Sequence, residues 1–259
     1  MVETQISFII ATFNASATLR QCLESIIPQL TELCELIIID GGSTDDTNDI
    51  ITFYGNKIFY TISEKDKGIY DAWNKGVKAA KGKWIAFIGA DDVLLPGAID
   101  AYLKTIKNTP DIASYDYICA HNEYVDVNEK LLKILGEEPK WSVMRKRMAP
   151  AHVASLHSKK NLFETIGFYD YEHFHICADY ELLIRKKDKL KYLMIPNHIA
   201  RMKVGGMSFS TKAIKEAYKI RELHHSLPFV VNELFFLRDW VAYKLFIIKK
   251  VWGGVWQTC

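Results

Sequence analysis

Two adjacent carboxylates, Asp91 and Asp92, end the apolar run KWIAFIGADD. Side by side they repel each other, and a divalent cation supplies the missing counter-charge. Mg2+ or Mn2+ takes oxygen ligands, often one or two carboxylates completed by substrate phosphates. Such an ion would neutralise a diphosphate leaving group as its bond breaks. The alternative role for Asp92 is a cap for the helix expected at Pro96. A third carboxylate, Asp40, ends the run ELIIID and precedes Gly41, Gly42, Ser43 and Thr44. The glycines let backbone approach a flat ligand closely. A carboxylate at that place could accept the N3–H of uracil and so prefer uracil to cytosine. Capping is its alternative role, although Ser43 or Thr44 suits a cap better. Asp45 and Asp46 fall in the first turn of the following helix and read as partners of its dipole.

These groups need strands that end at one level. The first hundred residues alternate strand and helix signals, which favours a parallel sheet. Strands are expected at 6–11, 35–40, 57–62 and 83–89, and helices at 16–29, 43–52 and 68–81. Another helix is expected to start at Pro96, where the missing N–H is harmless. In a parallel α/β sheet, ligands bind beyond the carboxyl ends of the strands. Four polar clusters fall there: Thr12-Phe13-Asn14, Asp40 to Ser43, Glu64 to Gly68, and Ala90-Asp91-Asp92. After about residue 110 the pattern changes. Short strands are expected at 115–120, 123–127 and 131–135, helices at 162–166, 178–187 and 211–225, and a strand at 192–202. The expected layout is a donor-binding half (1–110), an acceptor-side half (111–227) and a C-terminal tail (228–259).

The chain has 259 residues, 49% apolar and 25% charged, with a formal charge of +2. That composition is globular, and the near balance of charge gives no sign of a nucleic-acid partner. Five widely spaced cysteines without a CxxC pair argue against a disulfide framework or zinc site and fit a reducing cytoplasm. The opening MVETQISFIIATFN has neither a basic leader nor a cleavage site, so secretion is not expected. The glycine-free stretch ATFNASATL after the first strand argues against nucleotidyl transfer and against a GxGxxG dinucleotide site. The tail at 229–252 is rich in Phe, Trp, Val, Ile and Leu, but Glu233, Arg238, Asp239 and Lys244 interrupt it. It is too broken to span a bilayer. It could lie in a membrane interface over 229–256, with Trp240, Trp252 and Trp256 as anchors and Lys249-Lys250 facing lipid phosphates. Alternatively it packs on the domain or on a second copy of the chain.

The stretches FIIATFNASATLRQCLESI, ELIIIDGGSTDDT, SEKDKGIYDAWNKG and GKWIAFIGADDVLLPGA, in that order and spacing, resemble the nucleotide-binding half of the family 2 inverting glycosyltransferases. The likeness continues through HVASLHSKKNLFETIGFYD to ADYELLIR and GGMSFS, covering about residues 6–210. It implies a GT-A fold: a Rossmann-like, mostly parallel α/β sheet with helices on both faces, here with a C-terminal helical extension. It implies that Thr12 and Asp40 contact uridine, that Phe13 and Asn14 shape that pocket, and that Asp66 lies near the donor. Asp91 matches the metal-binding aspartate of the family's DxD motif, while Gly89 stands where an aspartate often sits. Asp179 in Ala178-Asp179-Tyr180-Glu181 matches the general base, with Ala178 replacing the usual Glu. A helix cap is the alternative for Asp179, and Glu181 should point to another helix face.

Within GIYDAWNKG, Tyr70 and Trp73 read as a core stripe, and Lys75 is a candidate donor contact. His152 is an acceptor-side candidate. The loop Gly205-Gly206-Met207-Ser208 could close over the diphosphate with backbone N–H groups. The implied activity is metal-dependent transfer, with Mn2+ or Mg2+, from a UDP-sugar to a glycan or lipid-linked glycan acceptor, at the inner face of the plasma membrane. Gly89 and Ala178 keep one alternative open: a non-catalytic subunit that binds nucleotide-sugar.

Overall fold

The computed structural model describes residues 2–204 and 210–255, with side chains through 245 and at 247. The first half alternates as its periodicity requires: β1 (Ile6–Thr12), α1 (Leu19–Ile26), β2 (Cys34–Asp40), α2 (Thr47–Phe53), β3 (Tyr60–Ser63), α3 (Ile69–Ala79) and β4 (Trp84–Gly89). Residues 36–39 of β2 are all fully buried. Such a continuous apolar run marks a strand covered on both faces. Leu19, Cys22, Leu23 and Ile26 form the buried stripe of α1, at the spacing of one helix face.

The remaining elements are β5 (Val93–Leu94), α4 (Ala98–Asn108), β6 (Tyr117–Val125), β7 (Leu131–Leu135), α5 (Trp141–Met144), β8 (Leu156–Ser158), α6 (Ala178–Ile184), β9 (Tyr192–Lys203), α7 (Thr211–Leu223) and α8 (Phe229–Val255). The sheet runs β3-β2-β1-β4-β8-β6-β9-β5, with β7 paired to β6. It is parallel from β3 to β4. Beyond β4 it is mixed, because β8 lies antiparallel to both β4 and β6. One core layer packs α1 and α4 on the sheet through Leu23, Ile26, Ile99 and Tyr102. The opposite layer packs α3, α6 and α7 through Trp73, Val77, Leu183 and Ile220. Each such aliphatic side chain contributes about 1.5–3 kcal/mol by leaving water.

Several boundaries differ from the periodicity. α2 starts at Thr47 rather than at 43, because Asp40 and Asp45 capture the N–H groups of Gly42, Ser43 and Thr47 in loop geometry. α4 starts at Ala98, past Gly97 in the left-handed region (φ 81). The strands expected at 115–120 and 123–127 are one strand, β6. The helix expected at 162–166 is a π-helical turn over Lys159–Glu164.

Strand register decides what the site holds. Thr12 lies opposite Asp40, Asp40 opposite Ser63, and Ala11 opposite Gly89. The carboxyl ends of four strands therefore form one row. At the opposite, amino end, Glu35 stitches three segments together. It accepts from Ser7 Oγ at 2.6 Å, Lys81 N at 2.6 Å and Gly82 N at 3.3 Å.

Candidate active site

Side chains of directly paired parallel residues share a side of the sheet, so Thr12 and Ser63 flank Asp40. Their hydroxyls donate to its carboxylate at 2.9 and 2.6 Å. Ser43 N and Gly42 N add bonds of 2.9 and 3.1 Å, and Ser43 Oγ a further one. Burial would raise the pKa of Asp40, but the bonds from Ser43, Ser63 and Thr12 outweigh it and hold the carboxyl below the usual range. Asp40 is fully buried. The carboxylate expected to receive uracil N3–H is thus engaged by protein donors, and it shapes the loop. Thr12 is likewise buried, with its hydroxyl committed to Asp40. Asn14, at φ 48, pins the same loop by accepting from Thr44 N at 2.9 Å while its own N–H donates to Ser43 Oγ at 2.8 Å. Phe13 stands open on the rim, 65% exposed.

Asp66 lies over this loop. Its Oδ1 accepts from Gly68 N at 2.9 Å. A Cβ on Gly41 would fall 2.6 Å from Asp66 Oδ2, so glycine is needed for the carboxylate to settle there. The space in front of Gly41 is occupied by this carboxylate. Asp66 is half-buried, and it is the acid left open beside the sequestered Asp40. Lys75 reaches Glu64 at 2.8 Å and Asp71 at 3.6 Å. Burial works against its charge, but these carboxylates prevail and raise its pKa.

At the end of β4 the two adjacent acids part. Asp91 is exposed and Asp92 is buried. Asp92 Oδ2 accepts from Gly89 N at 3.0 Å, and Asp92 N donates to Gly89 O at 3.1 Å. A Cβ on Gly89 would meet Asp92 Oδ2 at 2.7 Å and Asp91 Oδ1 at 2.9 Å. Glycine at 89 is therefore what lets both carboxylates fold back over the strand end. Burial first, and the charge of Asp91 second, push the Asp92 carboxyl up to about 8. That mutual repulsion is the electrostatic setting a cation relieves. No cluster of three or more ligating side chains exists among the described residues. The donor set fits an Mg2+- or Mn2+-like ion that takes one or two carboxylates and completes its shell with phosphate and water. Asp91 is the accessible carboxylate of the pair, with Asp92 buried behind it.

Asp179 sits in the first turn of α6, half-buried. Its Oδ1 accepts from Tyr70 Oη at 3.0 Å, and the same hydroxyl lies 2.7 Å from Ile176 O. Burial raises the pKa of Asp179, against the opposing pull of the Tyr180 and Tyr70 bonds. Glu181 faces elsewhere, toward Arg185 and His224. His152 stacks on Trp73 with centroids 5.0 Å apart, and its Nε2 lies 3.1 Å from Tyr169 Oη. Burial pushes its pKa down to about 3, so it is a neutral member of an aromatic cluster. Tyr70 and Trp73 are buried, as a core stripe should be. The reach of Tyr70 to Asp179 had no signal in the sequence, because the two are 109 positions apart. Glu216 was also missed. Its carboxylate accepts from the backbone N–H groups of His175, Ile176 and Cys177. The glycine loop at 205–208 lies outside the described residues.

A continuous chain of contacts joins these groups: Asp179 to Tyr70 in α3, Gly68 to Asp66, Asp66 to Gly41, and the strand row from Asp40 through Thr12 to Gly89 and Asp91. A hollow of about 400 Å3 beside Gln5, Gly82 and Trp84 lies at the other end of the sheet, away from this row.

This arrangement of mixed sheet, carboxylate row and facing helix start is a GT-A fold. The same fold is found in S. aureus TarS, solved with UDP (13% identity, 91% of this chain and 70% of that one, TM-score 0.67). It is also found in the mannosyltransferase PcManGT of Pyrobaculum calidifontis, solved with GDP-Man and Mn2+ (10% identity, 98% and 81%, TM-score 0.62). The chain belongs to glycosyl transferase family 2, whose model matches residues 7–189. Among curated relatives, a PGL/p-HBAD biosynthesis glycosyltransferase of Mycobacterium bovis is 42% identical over 97 residues, 36% of this chain and 38% of that protein. An uncharacterized glycosyltransferase of Rickettsia prowazekii is 28% identical over 186 residues, 68% of this chain and 57% of that one. The matched stretches thus span less than two thirds of either relative.

Proposed function

We propose that this chain is an inverting, metal-dependent glycosyltransferase that moves a sugar from a UDP-sugar to a hydroxyl of a glycan or lipid-linked glycan. The observation that carries this reading is Asp179. It is a carboxylate at the start of α6, tied through Tyr70 to the helix that rises from the donor-side row. Asp179 takes the proton of the acceptor hydroxyl as that oxygen attacks the anomeric carbon. The new glycosidic C–O bond forms on one face while the bond to the diphosphate breaks on the other, which inverts the centre. Mn2+ or Mg2+, held by Asp91 with Asp92 behind it, would supply the positive charge that offsets the departing diphosphate. On the donor side, Asp66 and Phe13 flank the nucleotide, Lys75 stands near the phosphates, and Thr12, Asn14 and Asp40 keep the loop in shape. TarS bound to UDP and UDP-GlcNAc supports the uridine choice, and PcManGT bound to GDP-Man and Mn2+ supports the metal.

Residues 1–110 serve as the donor half and 111–227 as the acceptor side. No described helix is long and apolar enough to cross a membrane. α8 nevertheless presents Val230, Leu234, Leu237, Val241 and Leu245 to solvent at helical spacing. We assign this face to peripheral contact with a lipid surface, on the cytoplasmic side where nucleotide-sugars are made.

The test is transfer or donor hydrolysis across UDP-, GDP- and dTDP-sugars with Mn2+, alongside thermal shift for binding. Wild type should turn over a UDP-sugar. Asp91→Ala should abolish metal-dependent turnover, and Asp179→Asn should lose it by roughly a hundredfold or more while still binding UDP. Turnover retained in Asp179→Asn would overturn the reading. Binding without turnover in wild type would instead favour a nucleotide-sugar-binding subunit.

A further inference from the structure

Tyr70 is 4% exposed and packs against Trp73 and Tyr169. A phenylalanine would serve that packing. A buried phenol hydroxyl costs free energy unless it is bonded, and the Ile176 carbonyl at 2.7 Å alone would satisfy it. The second acceptor, Asp179 Oδ1 at 3.0 Å, is what packing does not explain. One hydroxyl proton thus stands between two acceptors. The frame around them is fixed from the far side. Glu216 of α7 holds the N–H groups of residues 175–177 at 3.1, 2.8 and 2.9 Å, which ties the Ile176 carbonyl and the start of α6 to α7.

Resting on the reading of Asp179 as the base, we propose that Tyr70 is its positioning residue. Its hydroxyl donates to the ionised carboxylate before transfer and turns to the Ile176 carbonyl once Asp179 has taken the acceptor's proton. The balance is simple. The acceptor O–H proton passes to Asp179, Tyr70 keeps its own proton, and only the direction of its hydrogen bond changes. A donor bonded to the charged form favours that form, so Tyr70 keeps the half-buried carboxylate ionised at lower pH. Among the described residues, Tyr117 of β6, Tyr169 and Cys177 also feel the charge of Asp179. Burial pushes the tyrosines and the thiol upward, so they stay neutral while Asp179 titrates. The geometry also joins the two halves of the site, because Tyr70 rides on the donor-side helix and Asp179 on the acceptor side.

The experiment is Tyr70→Phe in the full chain, with kcat and donor KM measured across pH. The expected result is a fall in kcat of roughly tenfold, donor KM within about twofold, and an acid limb displaced upward by about one pH unit. Replacing Tyr70 with 3-fluorotyrosine keeps the shape and strengthens the donor, and should move the limb downward. In an Asp179→Asn background, Tyr70→Phe should change residual turnover by less than about twofold, since the two act as one unit. UDP-induced thermal shift confirms that each variant is folded. An acid limb that stays put in both Tyr70 variants overturns the inference, whatever happens to kcat, because lost packing alone would not move it. If Asp179→Asn keeps full turnover, the assignment of the base fails instead, so the two failures are distinguishable.

Discussion

Asp92 shows how one residue can carry two demands. Its carboxylate is folded back onto Gly89 N–H, buried, and raised to about 8. A carboxyl whose folded pKa lies above its unfolded value binds its proton more tightly in the native state. In chelator, that stabilising contribution is complete in acid and is lost as pH rises from about 4 through about 8. Asp92→Asn keeps an acceptor for Gly89 and cannot ionise. The variant should therefore gain thermal stability relative to wild type at pH 9 and lose most of that advantage by pH 5, as followed by unfolding midpoints. At this scale the sequence announced the acids but not their geometry. Whether Asp91 or Asp92 faces outward depends on the turn after β4 and on the missing side chain at Gly89. The saturation of Asp40 depends on Thr12 and Ser63 falling opposite it, which is a matter of register between strands rather than of any local motif.

At the scale of elements, the amino ends of the strands matter as much as the carboxyl ends. Ser7 pairs with Glu35 across β1 and β2, and Glu35 receives the turn that leads into β4. Replacing Glu35 by alanine would leave the buried Ser7 hydroxyl without its acceptor and Lys81 N without its partner. The expected loss is about 2–3 kcal/mol in urea unfolding, with a smaller loss for Glu35→Gln. UDP affinity should be unchanged, because this stitch lies at the far end of the sheet from Asp91. A loss of UDP affinity without a loss of stability would count against that separation. Strands with continuous apolar runs were legible, since burial on both faces leaves no alternation to misread. β8 was not, because three residues carry no period. The helices at 43–52 and 96 onward were placed early, because capping side chains and Gly97 hold their first turns open.

Across the whole molecule, α8 is fastened on one side and bare on the other. Tyr218 Oη bonds Glu233, and Arg221 Nε donates to Asn232 Oδ1 at 2.6 Å, so its first turns belong to the domain through α7. One face of the helix packs on the domain, and the other shows Leu234 and Leu237 at 61% and 57% exposure. Trp252, Trp256, Lys249 and Lys250 lie outside the described side chains. Leu234→Glu with Leu237→Glu should reduce co-flotation with anionic vesicles several-fold and leave UDP binding intact. Unchanged flotation, or a wild-type dimer broken by the same pair, would assign the face to a second copy of the chain. The overall architecture could be read from the order of four motifs. The bond between Tyr70 and Asp179 could not, since the two meet only after the whole sheet is built.

The knot of donors around Asp40 closes among protein groups alone. In the proposed reading, a nucleotide arriving there would meet a finished wall and have little of this loop's backbone to freeze. Calorimetry should accordingly show a heat-capacity change set by the ligand's own apolar contact rather than by coupled loop folding. A Ser63→Ala chain, with one strut removed, would shift that burden onto the moment of capture.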